Sequence, residues 1–116
     1  MASVALEAIS MLSENDVEAG IVLCEFIKPY DALADLIAQV LPEGVKNIVF
    51  LEEEIMAGGF GMNLSEEFTR RGINPKANHT IIAVDDNFAI PSEGENVWQA
   101  AKVDSHSVYQ KILELQ

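Results

Sequence analysis

The stretch "KNIVFLEEEIMAGGFGMN", residues 46–63, carries the pattern on which the predicted fold depends. Its first half, residues 46–53, is a short apolar run bounded by polar residues, which is typical of a β-strand covered on both faces. Three glycines follow within four positions, and residues 63–72 have the spacing of a helix that ends at Gly72. The stretch therefore predicts a buried strand, a glycine-rich turn and a helix.

The rest of the chain repeats this alternation. Residues 20–26, "GIVLCEF", and residues 79–84, "HTIIAV", are apolar runs rich in β-branched residues and are predicted to be two more buried strands. Helical spacing of apolar residues predicts two helices capped by Ser3 and by Ser105, and a third that starts near Asp31. It also predicts a short helical segment over 97–103. Residues 85–96 lack such spacing and are predicted to form an irregular connection.

Three doubly buried strands alternating with helices indicate an α/β fold with a mainly parallel sheet and helices on both faces, a three-layer α/β/α arrangement. The whole chain, residues 1–116, is expected to form one domain. Folds of this kind usually open on a strand, whereas this sequence opens on a helix. We therefore expect the chain to be a fragment of a longer protein.

Composition excludes several classes of partner. The formal net charge is -12 and the seven basic residues are scattered, which argues against nucleic acid and against anionic membranes. The single cysteine, Cys24, excludes an internal disulfide and any multi-cysteine metal site, and its apolar surroundings favour a core position. The N-terminus lacks the basic start and long apolar stretch of a signal peptide, so a cytoplasmic location is expected.

The glycine-rich turn has two interpretations. A turn from strand to helix exposes backbone N–H groups that can bind a phosphate. However, "GGFGMN" fits neither G-x-G-x-x-G nor G-x-x-x-x-G-K-[ST], and the carboxylates of residues 52–54 would repel an anion. A structural turn that needs small residues is the favoured interpretation, and anion binding remains the alternative.

Polar residues elsewhere show no catalytic pattern. Residues 52–54 and the pair Asp85–Asp86 follow strands and could meet at one edge of the sheet, either as a site for a hard cation or as a solvated acidic rim, and the rim is favoured. His79 and His106 do not have the spacing of zinc ligands, and no G-x-S-x-G motif occurs. The sequence therefore predicts no catalytic residue and no metal or cofactor ligand in this chain.

Three aromatic residues are candidates for an interface. Trp98 and Tyr109 fall in predicted helices, and Phe60 falls in the glycine-rich turn. Aromatic residues at such positions usually belong to the core. They can also anchor a contact with a partner, which a domain without its first strand would need.

Three stretches, in this order, resemble the C-terminal domain of transketolase-type, thiamine-diphosphate-dependent enzymes. "EFIKPYD" (25–31) is similar to a segment of the form R-x-I-K-P-L-D, and "FLEEEIMAGGFGMNL" (50–64) is similar to a strand and turn with the pattern Glu-x4-Gly-Gly-x-Gly. "KVDSHSVYQKI" (102–112) is similar to a closing G-L-D and last helix, although Lys102 replaces the glycine. The resemblance extends over about residues 3–115 and is closest to transketolase or 1-deoxy-D-xylulose-5-phosphate synthase.

The resemblance implies a role in assembly. In such enzymes thiamine diphosphate and magnesium are bound by other domains, and the C-terminal domain contributes to the dimer and to the surroundings of the active-site cleft. It therefore implies partners in the other domains of the parent enzyme and in a second copy. Glu53, Gly58, Gly59 and Gly61 correspond only to turn and packing positions. The segment "NFAIPSEG" lacks the histidine–glycine pair that follows the aromatic residue in the family, which leaves the enzyme subtype open.

Two functional hypotheses follow. The first is a non-catalytic assembly domain of a thiamine-diphosphate-dependent transferase, inactive when isolated, whose parent enzyme moves a two-carbon or acyl unit. The second is a free-standing module that binds an anion or a protein at the glycine-rich turn. The neighbouring DNA distinguishes them, because the first predicts a few hundred upstream residues with a cofactor motif.

Overall fold

A computed structural model describes residues 1–85, Gly94 and residues 96–116. Part of the predicted irregular connection over 85–96 therefore lies outside the described residues. The described part contains helices and strands in the order α1 (Ala2–Ser13), α2 (Tyr30–Val40), β1 (Asn47–Ile55), α3 (Phe60–Arg71), β2 (Asn78–Val84), α4 (Val97–Ala100) and α5 (Ser105–Leu113).

The two strands form a parallel sheet. Asn47 of β1 lies opposite Asn78 of β2, and this register continues to Leu51 opposite Ile82. An irregularity then follows, after which Ile55 lies opposite Val84. The parallel sheet and both of these strands are confirmed, and β1 continues two residues beyond the predicted end at residue 53.

Helices cover both faces of this sheet. Successive side chains of a strand point to opposite faces, so the strands divide their apolar residues between two cores. Phe50 packs with α2 and α3, whereas Ile82 packs with α1 and α5. The fully or nearly buried members of the two cores are Leu33, Ala34, Ile37, Phe50, Leu64 and Phe68 on one face and Ala8, Ile82, Val103 and Val108 on the other. The predicted three-layer α/β/α arrangement is confirmed.

The predicted strand over residues 20–26 is wrong, since this segment is neither a helix nor a strand. Ile21, Leu23 and Phe26 are 38%, 59% and 42% exposed, although the apolar run predicts burial on both faces. Such a run signals that a segment can be buried, but pairing requires a neighbouring strand in register. The described part of the sheet contains only β1 and β2, and neither pairs with this segment.

Several helix ends differ from prediction. The helix predicted from residue 63 begins at Phe60, which was placed in the turn, and the segment predicted over 97–103 is helical only to Ala100. Ser3 lies inside α1, whose N-cap is Met1, and no side chain caps that end. At α5 the cap is Asp104 rather than Ser105, because the Asp104 carboxylate accepts a hydrogen bond from the backbone N–H of Ser107. Gly72 ends α3 in the left-handed conformation, with φ +66°, as predicted.

Candidate functional site

The glycine-rich turn joins the end of β1 to the start of α3. Gly58 has φ +71°, a conformation that favours glycine, and Gly59 is the N-cap of α3. The N–H of Gly59 donates to the Met56 carbonyl at 3.2 Å, which closes the turn. The turn thus points the first backbone N–H groups of α3 back toward the end of β1.

Those N–H groups bind the carboxylate of Glu52. Its Oε2 accepts a hydrogen bond from the N–H of Phe60 at 2.8 Å, and its Oε1 accepts one from the N–H of Gly61 at 3.1 Å. Glu52 is 6% exposed and is the one charged residue among the buried residues that the structure describes. A carboxylate here also interacts favourably with the positive end of the helix dipole. Glu52 therefore occupies the position that a bound anion would take.

Burial governs the protonation of this carboxylate. Burial raises the pKa of Glu52 above its ordinary value, because it disfavours the charged form. The hydrogen bonds from Gly61 and Phe60 lower the pKa and oppose this shift, while the nearby charge of Glu54 raises it further. The net direction is upward.

Two of the glycines are required by close approach. A Cβ atom at Gly59 would lie 2.6 Å from the Ile55 carbonyl oxygen, and one at Gly61 would lie 2.9 Å from Cβ of Phe50. The Gly61 position is also 3.0 Å from Cγ2 of Ile81. The absence of side chains at these positions lets α3 start directly against the sheet.

The predicted turn residues fall in different environments. Gly59 and Gly61 are buried, whereas Glu53 and Gly58 are exposed. The carboxylate that contacts the turn is Glu52, which was predicted to repel an anion and to belong to a solvated acidic rim. The rim prediction is wrong for Glu52, because this residue is buried. The strand period places Glu52 on the same face as Phe50 and Glu53 on the opposite face, but only the structure shows that α3 covers the face of Glu52.

The three predicted interface aromatics do not share one surface. Phe60 is partly buried against the core of α2 and α3, and Tyr109 against the core of α1 and α5, on the other face of the sheet. The Tyr109 hydroxyl also accepts a hydrogen bond from Nδ2 of Asn15 at 3.0 Å. Trp98, in α4, is 38% exposed. An interface role for these residues stays a prediction.

The acidic rim offers no metal centre within the described residues, where no group of three or more His, Cys, Asp or Glu side chains is placed to hold a metal ion. Glu53, Glu54 and Gly58 line an open depression at the ends of the strands. Asp86, the other half of the predicted acidic pair, lies outside the described residues. No helix of the described part has the length and apolar character needed to cross a membrane.

His79 is packed into the fold, whereas His106 is exposed. Nδ1 of His79 is 2.7 Å from Oγ of Ser65, and the ring contacts Phe50 and Phe68 edge to face. Burial lowers the pKa of His79, which favours its neutral form. The ring of His106 lies 6.0 Å from that of Tyr109.

Comparison with known sequences gives one consistent result. The profile of the family described as transketolase, C-terminal domain, matches residues 1–108. The 1-deoxy-D-xylulose-5-phosphate synthase of Clostridium botulinum is 30% identical over 105 residues, which are 90% of this chain and 16% of that protein. The synthase of Rippkaea orientalis is 32% identical over 91 residues, 78% of this chain and 13% of that protein. The chain thus spans less than a fifth of the length of these relatives.

Proposed function

This chain belongs to the transketolase C-terminal domain family, and on that premise we propose that it is the assembly domain of a longer thiamine-diphosphate-dependent transferase. The relatives suggest a parent enzyme of the 1-deoxy-D-xylulose-5-phosphate synthase kind. The proposal includes a cytoplasmic location, cofactor binding by other parts of that enzyme and no turnover by the isolated chain.

The family match carries the proposal, and the buried carboxylate at the start of α3 supports the part that places cofactor binding elsewhere. The N–H groups of Phe60 and Gly61, which could hold a phosphate, already bind Glu52. The charge of Glu54 also acts on this site, so a diphosphate group would meet repulsion rather than free donors. The turn is thus suited to holding α3 against the sheet and does not fit thiamine diphosphate.

The same contact weakens the alternative of an anion-binding module. An anion could reach these N–H groups only by displacing a carboxylate that is covalently part of the chain and correctly placed. Protein binding at the turn is compatible with the contact, but no separate observation favours it.

Calorimetric titration tests the absence of a cofactor site. We expect the isolated chain, titrated with thiamine diphosphate and Mg²⁺, to release no heat beyond dilution. The intact synthase of Clostridium botulinum serves as the positive control. Sub-micromolar binding by the isolated chain would contradict the proposal.

A chimera tests the assembly role itself. The matched region of the Clostridium botulinum synthase is replaced by this chain, and subunit association and synthase activity are measured. We expect the chimera to associate and to be more active than the same synthase with that region deleted. The proposal is wrong if the deleted form matches the chimera in both measurements.

A further inference from the structure

His79 of β2 lies in an aromatic cluster that joins both strands to α3. The centroid of its ring is 5.5 Å from that of Phe50 in β1 and 6.0 Å from that of Phe68 in α3, and both pairs meet edge to face. The rings of Phe50 and Phe68 also meet each other edge to face, with their centroids 5.9 Å apart. Phe50 and Phe68 are both buried, so the ring of His79 packs against the interior of this face of the sheet.

A hydrogen bond attaches the same ring to α3. Nδ1 of His79 is 2.7 Å from Oγ of Ser65. Ser65 lies three residues before Phe68, so α3 presents a hydroxyl group and a phenyl ring to His79 from one side of the helix. His79 therefore contacts the middle of α3 at two points, whereas Glu52 contacts its start.

A positive charge on His79 would find little compensation in this position. Among the described residues around the ring, Glu52 of β1 binds backbone N–H groups, while Glu67 of α3 and Asp35 of α2 pair with arginines of α3. The other charged residues of these elements and of the segments just before the strands are exposed: Asp31, Lys46, Glu53, Glu54, Glu66 and Lys76. Burial is the cause that lowers the pKa of His79, and no charged neighbour opposes it.

From this geometry we propose that His79 is an acid-sensitive contact that holds α3 against the sheet. The neutral ring packs between Phe50 and Phe68, whereas a protonated ring would place a poorly solvated charge among them and favour states in which α3 opens to water. The stability that neutral His79 contributes is fully present above pH 6.5, is lost as pH falls from 6.5 to the folded-state pKa, and then levels off. The inference goes beyond the proposed function and does not depend on it.

NMR titration of the native chain measures the protonation of His79 directly. The imidazole proton signals are followed from about pH 8 to about pH 5, and contacts with the ring protons of Phe50 and Phe68 identify the signal of His79. We expect its midpoint to lie below 6.5. A midpoint at or above 6.5 would overturn the inference, because it would show that the folded chain stabilises the charged ring.

Hydrogen exchange tests whether protonation opens α3. The amides of α3 are compared between the native chain and His79→Phe at each pH, which cancels the intrinsic effect of pH on exchange. For each unit by which the NMR midpoint lies below 6.5, the native chain should lose about tenfold in protection relative to His79→Phe as pH falls from neutral to below the midpoint. The same dependence on pH in both chains would overturn the inference.

His106→Asn is the matched control, because it removes the second of the two histidines. His106 is exposed and lies in α5, on the opposite face of the sheet from α3. Its replacement should leave the dependence of α3 exchange on pH as in the native chain. If His106→Asn abolishes that dependence, His79 is not the responsible group. If His79→Phe does not fold, His79→Gln, which does not titrate, takes its place, and the NMR midpoint of the native chain decides without any variant.

Discussion

The side chain of Glu52 links β1 to the start of α3. A buried carboxylate normally costs free energy, but here two backbone N–H groups and the helix dipole offset much of that cost. The close approach that makes these contacts possible depends on Gly59 and Gly61, which have no room for a Cβ atom. At the scale of residues, the glycine-rich turn lets α3 pack directly against the sheet.

Substitution of Gly61 tests whether α3 needs this close approach to the sheet. Gly61→Ala should lower the free energy of unfolding by about 1–3 kcal/mol, because its methyl group would overlap Phe50 and Ile81 and force α3 away from the sheet. Gly20→Ala is the control, since nothing lies within 4 Å of a Cβ atom at Gly20. Urea unfolding of both variants measures the difference. Equal stability of the two variants would show that α3 can shift without cost.

The dependence of stability on pH tests the state of Glu52. Its pKa is raised by burial above the ordinary value of 4.5, so the stability it contributes is fully present below that value and is lost as pH rises through its folded-state pKa. Relative to Glu52→Gln, which does not titrate, the native chain should therefore lose free energy of unfolding as pH rises from about 4.5, and then level off. Urea unfolding across this pH range measures the difference. A difference that grows with pH would mean that the pKa is lowered.

At the scale of elements, the helix ends depend on single side chains. Asp104 holds the start of α5 through Ser107, and α5 carries Val108 into the core that it shares with α1. Burial alone would raise the pKa of Asp104, but the hydrogen bonds from Ser107, together with those from nearby backbone N–H groups, outweigh it and hold the pKa below its usual range. The carboxylate is therefore charged and caps the helix at neutral pH.

Removal of this cap should loosen α5. Asp104→Ala should lower the free energy of unfolding by about 0.5–2 kcal/mol, the usual cost of losing an N-cap side chain. Glu43→Ala removes an exposed carboxylate from a loop and should change stability little, which controls for the loss of charge. Thermal unfolding at neutral pH compares the two. A loss of stability in Glu43→Ala as large as in Asp104→Ala would point to net charge rather than capping.

At the scale of the whole molecule, the described sheet is narrow. Two paired strands are marginal by themselves, and stability here comes from helices packed on both faces. Residues 20–26 belong to the connection between α1 on one face and α2 on the other, and they do not join the sheet. Their amides should therefore be less protected from solvent than those of the paired strands.

Hydrogen exchange measures that difference. The amides of residues 20–27 should exchange rapidly in dilute solution, whereas the amides of β1 should be protected, because only those of β1 pair within the sheet. Protection of residues 20–27 as strong as that of β1 would show that these residues are paired in solution.

Local periodicity is enough to predict the parallel α/β class, the two paired strands and the cap at Gly72, and the order of three short motifs is enough to indicate the family. Which carboxylate contacts the turn, and which apolar run becomes a strand, depend on contacts between elements that are distant in the sequence. Glu52 and Glu53 are the same residue type, but Glu52 lies on the face of β1 that α3 covers and Glu53 is exposed. Residues 20–26 have the pattern of a strand, but pairing is a property of neighbours in space, and the described fold gives them none.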